Sequence, residues 1–207
     1  MADNYERTRN EMRSEFLHYD QSAMLRRFPL DYDVDYISLP FLGMPCRVGR
    51  KTGIVELMRE DQFEEADFSL SMTVYDLLCN AKEGCRLSGR FVPHHGLKVQ
   101  GSDVNVNAGF FKKDTSYYVG KSDALKKAFA QLGESCDYAG DAAVLLHPFP
   151  FLPMILQFWE EDEEFPPTLK AMFDENILDY MHFETTFYML GAVTGEIRRR
   201  MELFLPR

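Results

Sequence analysis

The 207-residue sequence predicts an α+β protein: a curved, mostly antiparallel β-sheet with helices packed on one side of it and at both termini. Three observations predict this class. Apolar residues recur at helical spacing near both ends of the chain. Short apolar runs bounded by glycine and proline lie between those ends. The glycine-rich segment Gly49–Gly53 separates two such runs, which is typical of a hairpin. We find no low-complexity linker, so residues 1–207 are expected to form a single domain.

The N-terminal segment predicts one amphipathic helix over residues 5–27, packed on the α+β body. Five residues recur at spacings of seven, four, three and four and so share one helical face: Tyr5, Met12, Phe16, Tyr19 and Ala23. Pro29 ends the helix because proline has no backbone N–H to continue it.

Three strands and a helix are expected next. The strands cover residues 36–43, with a bend at Pro40, and then residues 44–48 and 54–58. The helix covers about residues 69–82, where Met72, Tyr75 and Leu78 share one face.

The second half of the chain predicts four strands and three helical segments. The strands cover residues 91–100, 104–111, 142–147 and 154–159. Ser122 is expected to cap a short helix that ends at Gly133. Pro166 and Pro167 open a predicted helical region through Met172, Ile177 and Met181, and the last helix is expected over residues 185–203.

Two segments of the sequence resemble each other, and an internal duplication is one interpretation of this resemblance. Residues 37–45 and residues 146–154 are both proline-bent apolar runs. Each is followed by apolar strand residues, an acidic stretch and a helix. A duplicated unit would place a ligand site most naturally between the halves, and chance similarity between two proline-bent strands is the alternative.

Composition excludes several classes of protein. The net charge of −10 disfavours nucleic acid as a partner, because phosphate binding requires a basic face. No run reaches the roughly 18 apolar residues of a membrane span, so no membrane partner is expected. The polar N-terminus does not look like a signal peptide, and four cysteines fit reduced thiols. These features predict a cytoplasmic protein.

The negative charge is concentrated in two stretches. Residues 160–184 hold nine acidic residues and one basic residue, and residues 56–67 hold six acidic residues and one basic residue. Carboxylates and an imidazole in one short segment can hold a divalent cation. We therefore predict a ligand-binding set and an overlapping metal set. The ligand-binding residues are Asp162, Glu163, Glu164, Asp174 and Glu184, and the metal ligands are Asp162, Glu164, Asp174, His182 and Glu184. The alternative is a solvated acidic helix start.

No motif fixes a reaction, so the sequence leaves open whether the chain is an enzyme. It lacks a phosphate-binding loop and a nucleophile elbow. His94 and His95 are adjacent in an extended segment, which points their side chains to opposite faces. The favoured function is a small-molecule or cofactor-binding accessory protein. The alternatives are a metal-dependent enzyme that uses residues 160–184 and an acidic protein-interaction module. Neither the ligand nor the oligomeric state follows from the sequence.

The C-terminal pattern resembles a known family. Gln157-Phe158-Trp159, Asp162-Glu163-Glu164-Phe165-Pro166, Phe173-Asp174 and Glu184 are similar to the signature of an uncharacterised prokaryotic family, domain of unknown function 3786. Leu39–Gly43 and Gly140-Asp141-Ala142 are similar to its other recurrent stretches. The resemblance implies a small cytoplasmic α+β protein whose activity is not established.

Overall fold

The chain divides into two compact units. A computed structural model describes residues 2–97 and 112–206, with side chains from residues 4–97 and 115–206. The first unit comprises residues 1–86 and 176–192, and the second unit comprises residues 87–175 and 193–207. The single domain expected over residues 1–207 stays a prediction.

The predicted α+β class is confirmed. The described residues form six α-helices and two antiparallel five-stranded sheets. The single curved sheet expected from the sequence is therefore corrected to two sheets. The physical reason is that consecutive strands pair through short local connections, and each such series completes its own sheet. None of the described helices is long and apolar enough to cross a membrane.

The first unit contains a sheet whose strands follow chain order. Its elements are α1 (Ala2–His18), α2 (Gln21–Arg27), β1 (Asp31–Tyr32), β2 (Tyr36–Ser38), β3 (Cys46–Gly49), β4 (Val55–Arg59), β5 (Gln62–Glu65) and α3 (Phe68–Asn80). A 3₁₀ turn (Ile177–Asp179) and the first half of α6 (Phe183–Glu202) complete it. The strand order is β1-β2-β3-β4-β5, so the acidic stretch 56–67 is mostly a hairpin.

The predicted N-terminal helix is two helices. The Asp20 carboxylate accepts hydrogen bonds from the backbone N–H groups of Ser22 and Ala23, at 2.9 and 3.2 Å, and starts α2. An aspartate in this position satisfies donors that a helix start leaves free. The single helix expected over residues 5–27 is wrong for this reason, although Phe16 of the expected face is fully buried.

Helix α3 is the most deeply buried helix of the first unit. Every residue from Leu70 to Cys79 is buried, and α3 packs against α1 and β4. The Asp67 carboxylate caps its start by accepting from the backbone N–H of Leu70 at 2.9 Å. Any polar side chain within this stretch must find its partners inside the protein.

The second unit contains the other sheet, whose order is β6-β10-β9-β8-β7. Its elements are β6 (Phe91–Pro93), a 3₁₀ turn (His94–Gly96), α4 (Lys112–Tyr118), α5 (Ser122–Leu132), β7 (Gly133–Glu134), β8 (Ala142–Phe149), β9 (Leu152–Trp159), β10 (Thr168–Asp174) and the second half of α6. Helix α5 packs on β8. The strand expected over residues 104–111 lies outside the described residues.

The helical region predicted after Pro166 is wrong. Residues 168–174 form β10, which pairs antiparallel with β9 and β6. Leu169, Ala171 and Phe173 are buried and alternate with more exposed residues, which is the period of a strand. Hydrogen bonding to β9 on one side and to β6 on the other makes this segment a strand. The acidic residues 160–164 therefore precede a strand rather than a helix.

The predicted cap at Ser122 is also wrong. Lys121 occupies the position before α5, and no side chain caps the helix from there. The Ser122 hydroxyl instead donates to the Glu160 carboxylate at 2.6 Å. The same carboxylate accepts from the backbone N–H of Gly120 at 3.1 Å. The negative charge of Glu160 near the start of α5 is favourable to the helix dipole.

The two similar segments form the same kind of hairpin. Phe41 pairs with Met44 across a two-residue turn, and Phe149 pairs with Leu152 across another. In each unit, two helices lead into a series of antiparallel strands and a later helix. The acidic stretch is followed by a helix in the first unit and by β10 in the second, so the internal duplication stays a prediction. In the second unit the outermost strand beside β10 is β6, which comes earlier in the chain.

Candidate functional site

A buried carboxylate lies in the middle of α3. Asp76 is 4% exposed in a helix segment whose other buried residues are mostly apolar. A carboxylate in such a place is unfavourable unless several donors satisfy it. Asp76 has three of them. Its oxygens accept from the backbone N–H of His182 at 2.7 Å, from Nδ1 of His182 at 2.6 Å, and from the side-chain amide of Asn80 at 2.8 Å.

The imidazole of His182 is held in one orientation by this carboxylate. Both the backbone N–H and the ring of His182 contact Asp76, although the two residues are 106 positions apart. A carboxylate only accepts hydrogen bonds, so Nδ1 carries the proton of the neutral ring. The lone pair is then on Nε2. The side chain of His182 is 66% exposed, which leaves this lone pair available to a ligand.

The position of His182 in the chain explains its exposure. It lies immediately before α6, and its carbonyl accepts from the backbone N–H of Thr185 at 3.1 Å. The backbone of a residue at a helix start is fixed, while its side chain is free to leave the helix surface. The first turn of α6 thus holds the backbone, and Asp76 holds the ring.

A second layer of hydrogen bonds supports Asp76. The side-chain carbonyl of Asn80 accepts from the hydroxyl of Tyr19 at 3.2 Å, while its amide donates to Asp76. Burial raises the pKa of Tyr19, and the nearby carboxylates of Glu15 and Asp76 raise it further. The phenol therefore stays protonated and keeps its role as donor to Asn80.

The chain segments next to the site are tied together. The Lys82 ammonium contacts the Asp179 carboxylate at 2.6 Å, and the backbone N–H of Lys82 donates to the carbonyl of Asp179 at 2.8 Å. The Asn176 amide donates to the carbonyl of Arg86 at 3.0 Å. These bonds connect the segment after α3 with the segment that leads to His182. We call Asp76, Asn80 and His182 the imidazole site.

The cysteines do not offer a reactive thiolate. All four are unpaired thiols. Burial raises the pKa of Cys46 and of Cys79 to about 12, and it also raises the pKa of Cys85 and Cys136. A thiol is a nucleophile only when it is deprotonated, so thiolate chemistry has no support at these positions.

Two of the predicted acidic residues, Asp162 and Asp174, accept hydrogen bonds that hold local structure in place. The Asp162 carboxylate accepts from the backbone N–H groups of Glu164 and Phe165, at 2.8 and 2.7 Å, which closes a turn. Glu163 and Glu164 are exposed. Asp174 is fully buried and accepts from the backbone N–H groups of Ser88 and Gly89, at 3.0 and 2.8 Å. Its role is to hold the segment before β6.

The predicted set is divided between the two units. Asp162, Glu163, Glu164 and Asp174 belong to the second unit, whereas His182 and Glu184 belong to the first. Glu184 is exposed in the first turn of α6. Across residues 2–97 and 112–206, no three His, Cys, Asp or Glu side chains are grouped so that they could hold a metal ion. The role of the predicted acids in ligand or metal binding stays a prediction.

Asp76 is the residue that sequence reasoning missed. It lies in the run Val74-Tyr75-Asp76-Leu77-Leu78. One signal could have found it, because a single carboxylate inside an apolar helical run requires a buried partner. The sequence could not have named His182 as that partner, since the contact spans 106 positions.

The two adjacent histidines of the second unit differ in burial. His94 is 5% exposed, with its ring 5.5 Å from that of Phe173, whereas His95 is exposed. Burial, together with the neighbouring His95, lowers the pKa of His94 from 6.5 to about 4. His94 is therefore a neutral ring packed in the second unit at neutral pH.

We expect His94 to make the stability of the protein depend on pH. Because its folded pKa lies below the unfolded value, the unfolded state takes up the proton first as the pH falls. Stability is then full above pH 6.5 and is lost between pH 6.5 and about 4, by up to about 1.4 kcal/mol per pH unit. The free energy of unfolding, measured with urea at several pH values across this range, should fall less steeply with decreasing pH in His94→Gln than in the wild-type protein. His18→Gln, on the exposed surface of α1, is the control and should keep the wild-type dependence of the free energy of unfolding on pH. An equal pH dependence in wild type and His94→Gln would contradict the prediction.

Comparison with known proteins identifies the family of this chain, and the description of that family names no activity. The profile of the family described as Domain of unknown function (DUF3786) matches residues 20–196, which is most of the chain and includes both Asp76 and His182. Neither the curated proteins nor the solved structures gave a match. The resemblance seen in the sequence is thus confirmed, and the chain belongs to the DUF3786 family.

Proposed function

We propose that this protein binds a small molecule or cofactor through the imidazole site of its first unit. The observation that carries the proposal is the contact of 2.6 Å between the buried Asp76 carboxylate and Nδ1 of the largely exposed His182. A buried carboxylate that fixes an exposed imidazole prepares Nε2 to act on something outside the chain.

A purely structural role accounts for only part of this arrangement. The bond from the backbone N–H of His182 to Asp76 fixes the start of α6, and any residue except proline could supply that backbone donor. The second bond, from the ring, requires histidine in particular. It orients a side chain that gains little from burial, since the ring is mostly in water. The proposal accounts for this second bond.

The other functions raised by the sequence have less support. A metal-dependent enzyme built on residues 160–184 would need several of its ligands to meet, and the described residues offer no such group. An acidic interaction module fits the exposed carboxylates of Glu161, Glu163 and Glu164, but these carboxylates alone do not specify a basic partner. We propose the cytoplasm as the compartment because all four cysteines are free thiols.

The test is a ligand screen by thermal shift with matched histidine variants. A panel of metal-free and metal-bearing cofactors and metabolites is added to the wild-type protein, to His182→Ala and to His18→Ala. At about 100 times its Kd, a ligand stabilises the folded state by about 2.7 kcal/mol. We expect at least one compound to raise the Tm of wild type and of His18→Ala but not of His182→Ala.

His18 is the appropriate control because it is also exposed and also has a bonded ring. Its Nδ1 lies 2.7 Å from the backbone carbonyl of Ser14. If every compound that stabilises the wild-type protein stabilises His182→Ala equally, the imidazole site does not bind the ligand and the proposal fails. A panel in which no compound distinguishes the two proteins has the same consequence.

A further inference from the structure

We propose that the ligand of the imidazole site carries a chelated metal ion with one open coordination position, which Nε2 of His182 fills. This inference rests on the proposed function and names the chemical class of its ligand. It concerns a metal that arrives within the ligand rather than an ion that the protein binds alone.

The first argument is the chemistry of the pair. Metal-binding histidines usually donate their second ring N–H to a carboxylate or a carbonyl, which fixes the tautomer and makes the other nitrogen a stronger ligand. His182 shows this arrangement with Asp76 at 2.6 Å. The Asp76 carboxylate is in turn held by Asn80 at 2.8 Å, so the ligand atom and both supporting residues have defined positions.

The second argument is the number of protein ligands. A protein site for a free transition-metal ion usually supplies three or four side chains. In the described part of the chain, no three His, Cys, Asp or Glu residues are grouped for this purpose. A metal that is already chelated needs only one more ligand, and a single oriented imidazole supplies it. The geometry therefore fits a metal complex better than a free ion.

The third argument comes from the internal comparison with His18. Both histidines are exposed, and both use Nδ1 in a hydrogen bond. The acceptor is the neutral carbonyl of Ser14 in one case and the charged carboxylate of Asp76 in the other. A carboxylate acceptor increases the basicity of the imidazole more than a carbonyl does. A comparison of metal binding at His182 and at His18 thus separates the effect of the carboxylate on affinity from the effect of exposure.

The experiment titrates the full chain with copper(II)–terpyridine, a chelate that leaves one equatorial position open. Binding is followed by visible absorbance and by the nitrogen hyperfine signal in electron paramagnetic resonance. We expect the tightest binding event to remain in His18→Ala and to disappear in His182→Ala. We also expect Asp76→Asn to weaken it about 10-fold, because supporting carboxylates change metal affinity by about 10- to 100-fold.

Two results would overturn the inference. One is an identical titration for wild type and His182→Ala. The other is an affinity at His182 no tighter than the affinity at His18, which would mean that the chelate binds any exposed histidine. This second comparison uses only the two alanine variants, so it decides the matter even if Asp76→Asn fails to fold.

The failure of this inference can be told apart from the failure of the proposed function. If a metal-free compound stabilises the protein only when His182 is present, and the chelate shows no preference for His182, the proposed function stands and the metal inference falls. If the ligand panel never distinguishes wild type from His182→Ala, the proposed function itself falls.

Discussion

Replacing Gly133 with alanine is expected to lower the free energy of unfolding by about 3 kcal/mol, the upper part of the range for overpacked sites. Gly133 ends α5 and begins β7, where it pairs with Leu146. A Cβ there would lie 2.3 Å from the carbonyl oxygen of Leu145 and 2.8 Å from Cγ2 of Val144. The oxygen belongs to the paired backbone of β8 and cannot rotate away, so β7 must move from its partner.

Gly195→Ala is the matched control. Gly195 is exposed in α6, and an added Cβ there would meet no atom within 4 Å. Alanine in a helix interior is more favourable than glycine by about 0.5–1 kcal/mol, so this variant should be slightly stabilised. Urea unfolding monitored by circular dichroism measures the free energy of unfolding of both variants. A loss of less than 1 kcal/mol in Gly133→Ala would show that the close approach of β7 to β8 at Gly133 is not required.

Replacing Asp174 with alanine is expected to cost about 3 kcal/mol, because it removes a buried charged acceptor and leaves its donors unsatisfied. Asp174 ends β10 with its side chain fully buried. Its two oxygens accept from the backbone N–H of Ser88, the hydroxyl of Ser88 and the backbone N–H of Gly89. Without them the segment before β6 loses its attachment to the sheet.

The neighbouring residue provides the control for this prediction. Glu175 binds the same segment from the exposed side, where its carboxylate forms an ion pair with Arg90. An exposed ion pair contributes about 1 kcal/mol or less, so Glu175→Ala should be only mildly destabilised. Chemical unfolding, together with limited proteolysis of residues 86–90, measures both variants. Equal losses in the two variants would contradict the role assigned to Asp174.

Short-range patterns in the sequence predicted local structure well. The helix expected over residues 69–82 is α3 (Phe68–Asn80), and the last helix expected over residues 185–203 is α6 (Phe183–Glu202). The turn at Gly49–Gly53 connects β3 with β4 as predicted. In these cases the apolar spacing, the turn residues and the final packing favour the same structure, so neighbours in the chain carry enough information.

The prediction failed where a distant partner decides the structure. The sequence predicts that residues 168–174 belong to a helical region that Pro166 and Pro167 open. Pairing with β9 and β6 makes these residues a strand. The same limit applies to the candidate site, since the sequence marked His182 among acidic neighbours, whereas its partner in the structure is Asp76 of α3.

The sequence by itself determined the α+β class, the positions of the main helices and hairpins, the family, and the candidacy of His182. Only the tertiary structure decided that the strands form two sheets and that Asp76 holds His182. The physical reason is that hairpins and helix faces depend on residues a few positions apart. The pairing of β6 with β10 and a hydrogen bond between residues 106 positions apart depend on how the chain returns to itself.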